Sequence, residues 1–90
     1  DISNHVNDLN YFLNKGIEYN KNTQYKEAIE IFNKILNIYP EHIYSLYHRA
    51  ISYIQLGNQE NSKNDIKEIL KLWPRFEQAK QLLNHVNSNN

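Results

Sequence analysis

"KILNIYP" (residues 34–40) and "EILKLWP" (residues 68–74) are one phrase written twice. Each runs charged residue, Ile, Leu, polar residue, aliphatic residue, aromatic residue, Pro. Pro40 and Pro74 are the only two prolines, and they stand 34 positions apart. A proline donates no helical hydrogen bond and pushes the residue before it out of the α region. Each phrase therefore reads as the end of a helix. The interval then asks what fills 34 residues between two such ends.

Period-two alternation is not sustained anywhere, whereas steps of three and four recur. Val6, Leu9, Leu13, Gly16 and Ile17 make a first apolar stripe. Tyr25, Ala28, Ile29, Phe32, Ile35 and Leu36 make a second. The third holds Ile43, Leu46, Tyr47, Ala50, Ile51, Tyr53 and Ile54, and the fourth Ile66, Ile69, Leu70 and Trp73. Phe76, Ala79, Leu82, Leu83 and Val86 close the series. The breaks carry turn chemistry. "NKNT" (20–23) favours a turn, with Thr23 as the expected N-cap of the second helix. "LGN" (56–58) supplies a glycine for a left-handed helix end, then Asn58 as the next N-cap. The pattern predicts five helices over 3–21, 24–38, 42–56, 59–72 and 75–87. Connections this short make neighbours pack antiparallel. Two helices and two turns account for the interval, and stacked copies bury what one hairpin leaves exposed.

Composition removes several function classes. The chain has 90 residues, with ten Lys and Arg balancing ten Asp and Glu. A neutral chain gives no electrostatic footprint for nucleic acid or a polybasic membrane contact. The seven tyrosines are expected to serve packing, notably Tyr19, Tyr25 and Tyr53, rather than base stacking. Cysteine is absent, which excludes disulfides, thiolate catalysis and Cys-ligated metal. No apolar run reaches a membrane span and no signal-peptide core is visible, so a cytoplasmic location is expected. The chain opens at Asp1 without Met and reads as a fragment. His5, His42, His48 and His85 lack the helical spacing of a zinc pair. With two glycines there is no phosphate loop, and no G-x-S-x-G motif occurs. Glu27 and Glu30 have Lys34 and Lys26 at hand and read as solvated ion pairs. The expectation is a chain with no catalysis, cofactor or metal of its own.

Position by position, the unit resembles the tetratricopeptide repeat. Counted from Leu9, Phe12, Gly16, Tyr19, Tyr25, Ala28, Phe32 and Pro40 stand at repeat positions 4, 8, 11, 17, 20, 24 and 32 respectively in the order of the chain. Counted from Ile43, Leu46, Ala50, Tyr53, Ser62 and Pro74 fit, and Gly57 matches the turn glycine. Lys15 and Arg49 depart at position 7, Ile35 and Ile69 at position 27, and Ile66 replaces an aromatic. The resemblance implies an all-α fold of antiparallel hairpins stacked as a right-handed α-solenoid. One domain over 1–90 is expected, with repeats at 9–42 and 43–76. A capping helix over 75–87 would turn Gln78, Gln81, Asn84, His85 and Asn87 to water. The first helix likewise sets Asn4, Asn7, Asn14 and Glu18 along an outer face, interrupted by Tyr11.

The resemblance also implies a protein or peptide partner on the concave face, lined by the first helix of each repeat. A carboxylate clamp for chaperone tails would need Lys, Asn, Asn, Lys and Arg where this chain has Leu13, Ile17, His48, Gln78 and Leu82. None matches, and only Lys21 and Arg49 offer charge nearby. The expected site is instead apolar and aromatic: Leu13, Ile17, Tyr44, Tyr47, His48 and Ile51. It suits an apolar or amphipathic segment, taken by a monomer. Two alternatives are a self-association module that uses Tyr11 or an end face, and a targeting domain appended to a larger protein.

Overall fold

The computed structural model describes residues 6–88. Among them are five helices: α1 Val6–Lys21, α2 Tyr25–Ile38, α3 Ile43–Gln55, α4 Gln59–Leu72 and α5 Glu77–Ser88. The expected first turn from residue 3, with Asn4 and His5, lies outside the described residues. So does the side chain of Asn7. α1 packs on α2 and α3 on α4 as antiparallel hairpins, while α2–α3 and α4–α5 contacts stack the units into a helical solenoid.

The two quoted phrases end their helices in the same way. Tyr39 (φ −124°, ψ 79°) donates its N–H to the Ile35 carbonyl at 2.8 Å. Trp73 (φ −140°, ψ 83°) donates to Ile69 at 2.7 Å. Each proline then blocks further winding. Gly57 adopts φ +79°, and Asn58 caps α4 by accepting the Asn61 N–H at 3.2 Å.

Thr23 does not do what its residue type suggests. The N-cap of α2 is Gln24, which makes no side-chain cap bond. Thr23 sits instead at φ +61°, one repeat before Gly57. Its hydroxyl donates locally to the Asn22 carbonyl at 2.6 Å. The hairpin turn demands a left-handed residue at this place, and a β-branched side chain is strained there. Thr23→Gly is expected to stabilise the protein by about 0.5–1 kcal/mol, the relieved strain exceeding the added unfolded-state entropy. Thermal unfolding followed by circular dichroism measures it, and a lowered Tm would contradict the strain.

Two apolar clusters form. Ala28, Phe32 and Ile35 are fully buried in the first, with Leu9, Phe12, Leu13, Ile17 and Tyr19 packed around them. Leu46, Ala50, Ile66, Ile69, Phe76, Ala79 and Val86 make the second, joined by Tyr47, Ile54, Leu82 and Leu83. Small residues sit where helices cross. A Cβ on Gly16 would come within 2.4 Å of Phe32 Cε1. Ala28, Ala50 and Ser62 are likewise buried without exposure.

Arg49 is the second departure from expectation. It is not a charge available to the groove. Its Nε and Nη2 donate to the two carboxylate oxygens of Asp65 at 2.9 and 2.6 Å, and Nη1 donates to Asn33 Oδ1 at 2.8 Å. The hydrogen bond to Asp65 raises the Arg49 pKa further, against the opposing pull of burial. This fork joins α3 to α4 and to α2, and its guanidinium lies over the Tyr53 ring at 5.8 Å. The ion pairs expected of Glu27 and Glu30 are not closed: among the described residues Arg49–Asp65 is the one salt bridge. Exposed pairs gain too little to hold two long side chains in one geometry.

Candidate functional site

α3 carries Tyr44, Tyr47, His48 and Ile51 of the expected site, and its N-terminal half faces the start of α5. Tyr44, Tyr47, His48, Trp73, Arg75, Phe76, Glu77 and Gln78 line a hollow of about 330 Å³. Pro74 ends α4 one residue after Trp73, and the turn returns Phe76 against it. Their rings stack at 4.6 Å and 16°. Tyr47 leans on Phe76 at 5.5 Å, and Tyr44 meets it edge-on at 6.3 Å. Phe76 is thus a buried floor, 6% exposed, beneath Tyr44 and Trp73 walls that are 50% and 42% exposed.

His48 closes the other side. Its ring stacks on Phe32 at 6.2 Å and meets Tyr47 edge-on at 5.2 Å. Burial holds its pKa below the usual imidazole value, so the ring is neutral at neutral pH. The His48 carbonyl accepts from Asn20 Nδ2 at 3.1 Å. Ser52 Oγ, 3.1 Å from the same carbonyl, donates to Asn20 Oδ1 at 2.6 Å. Asn20 is therefore a tie between α1 and α3.

The six expected site residues divide. Tyr44, Tyr47 and His48 come together in the hollow. Leu13 and Ile17 are half-buried in the first cluster, against Phe32 and its neighbours. Ile51 is half-buried one turn along α3. Trp73, Arg75, Phe76 and Glu77 were not expected there. The available signal was the aromatic pair on either side of Pro74. Gln78, Gln81, Asn84 and His85 are exposed on α5, as the amphipathic pattern implied. No group of His, Asp or Glu among the described residues is arranged to hold a metal. No helix among them is long and apolar enough to cross a membrane.

Comparison with known proteins agrees with this architecture. The family model of the tetratricopeptide repeat matches residues 9–42 and again 43–76. Over 49 residues the chain is 33% identical to the peptidyl-prolyl cis-trans isomerase PASTICCINO1 of Arabidopsis thaliana, covering 54% of this chain and 8% of that protein. The likeness reaches only that small share of the relative. With two consecutive matched units and the hairpin stack that they fold into, the chain belongs to the tetratricopeptide-repeat family, whose repeats serve as protein-interaction modules.

Proposed function

We propose that this chain takes an apolar or amphipathic segment of a partner protein on its concave face, centred on the hollow between α3 and α5. The observation that carries this reading is the pairing of exposed aromatic walls, Tyr44 and Trp73, with a buried aromatic floor. Large rings with few rotors and a polar tip make good interface anchors. A desolvated floor ringed by polar groups such as Arg75, Glu77 and Gln78 is how such anchors are arranged. Tyr47 and His48 set the depth of the hollow, Ile51 extends it, and Leu13 and Ile17 support it from the first hairpin. A charged clamp is disfavoured, because Arg49 is already held by Asp65.

The chain's single tryptophan lies in the hollow, so its fluorescence reports occupancy. Peptides selected from a displayed library are expected to share an aromatic or aliphatic anchor and to perturb Trp73 emission. Tyr44→Ala, at a half-exposed position, is expected to weaken them roughly tenfold or more. Tyr11→Ala, on the outer face of α1, should leave them unchanged. The reverse outcome would move the site.

A second reading has one observation in its favour. Tyr11 is 60% exposed and shares a shallow depression with Asn14, Lys15 and Glu18. That face would serve self-association. Sedimentation over a concentration series separates the two readings, since a strict monomer removes the second.

A further inference from the structure

α3 begins on an unusual cap. His42 is its N-cap residue, and the ring Nδ1 accepts the backbone N–H of Ser45 at 3.2 Å. The Ser45 hydroxyl lies 2.7 Å from the same nitrogen. A nitrogen that accepts an N–H carries no proton, so the ring is neutral with its hydrogen on Nε2. Ser45 is fully buried, so water does not replace the lost partner. Tyr44, the exposed wall of the hollow, stands between His42 and Ser45 and meets the imidazole edge-on at 6.3 Å.

We propose that His42 is a proton-operated latch on the first turn of α3, which holds the Tyr44 wall in place only while its Nδ1 is unprotonated. Protonation puts a hydrogen on the accepting atom. The Ser45 hydroxyl can turn round and accept from it, but the Ser45 backbone N–H cannot, and it is left facing a cation. The new charge also stands at the positive end of the helix dipole, where cations are disfavoured. The cap bond breaks, and the turn that carries Tyr44 loosens.

The surrounding charges do not cancel this effect. From the end of α2, Tyr39 accepts the His42 N–H through its carbonyl at 3.0 Å, and Glu41 lines the same surface depression as His42. On α3 the nearest titratable side chain is Tyr44 itself. Beyond it, Arg75 in the turn before α5 and Glu77 at the start of that helix flank the hollow with opposite charges. His42 forms no salt bridge among the described residues. Burial lowers its pKa from 6.5. For a lowered base the sign is fixed: the stabilisation is present above about 6.5 and is lost as pH falls through the lower folded value.

The latch concerns the shape of the hollow and stands whether or not the hollow takes a partner. Amide and imidazole resonances followed by NMR between about pH 8 and pH 5 test it. In the wild type, the Ser45 and Tyr44 amides are expected to shift with the His42 ring titration, and Ser45 amide exchange, corrected for its intrinsic rate, to rise roughly fivefold. In His42→Asn, which caps at every pH, that step should vanish while His48 still titrates. His48→Gln should keep it. A Ser45 amide that holds its shift while the wild-type His42 ring titrates overturns the proposal. So does a step that survives in His42→Asn.

Discussion

Gly16→Ala is expected to destabilise the protein by about 2–3 kcal/mol, the upper part of the range for overpacking a filled core. Helix propensity alone predicts the opposite sign, because alanine is about 1 kcal/mol better than glycine inside a helix. The local geometry decides. The added methyl would lie 2.4, 2.7 and 3.0 Å from three atoms of the Phe32 ring. Phe32 is fully buried, and its ring is fixed between α1 and the His48 stack. It cannot swing away as an exposed side chain would. For a domain of this size the loss corresponds to a fall in Tm of roughly 10–20 °C. Gly16→Ala combined with Phe32→Leu should lose less than the sum of the two single changes, because the smaller side chain admits the methyl. A Tm above that of the wild type would show that the two helices do not cross this closely.

Asp65→Ala is expected to cost about 2–4 kcal/mol, read from urea denaturation. The carboxylate is nearly enclosed, at 7% exposure, and its removal strands a guanidinium that is 21% exposed. That remaining access to water keeps the figure below the full penalty of a sealed charge. Arg49→Met with Asp65→Leu should recover most of the loss, since an apolar pair of similar volume desolvates nothing. Equal losses in the single and double variants would mean that packing volume, rather than the ion pair, holds α3 on α4.

Much of the fold was legible because it is periodic. Pro40 and Pro74, Gly16 and Ala50, and Ala28 and Ser62 each repeat a constraint at one spacing, and a helix-crossing requirement admits few residue types. The misses lie where one copy departs from the other. The usual capping preference points to Thr23 as an N-cap, while the left-handed conformation that Gly57 takes at the same place in the next repeat governs that turn. Arg49 was visible as a departure from the repeat, but its partner Asp65 lies on the following helix, and helical spacing within one element does not reveal such a pair. The candidate site was half legible. Tyr44, Tyr47 and His48 follow from the face of α3, whereas Trp73 and Phe76 meet only because the turn at Pro74 folds back. Leu13 and Ile17 carry the same apolar signal as Tyr44, and side-chain type does not tell a residue half-buried against its own hairpin from one on an open face.

The polar ties across the repeat boundary have a consequence for recognition. Asn33 to Arg49 and Asn20 to Ser52 and the His48 carbonyl are directional, unlike the apolar contacts beside them. Apolar surfaces tolerate a few degrees of sliding, but hydrogen bonds lose strength quickly when misaligned. These ties therefore set the angle between successive hairpins. A partner then meets a surface whose curvature is already chosen, and spends little of its binding free energy on ordering the receptor.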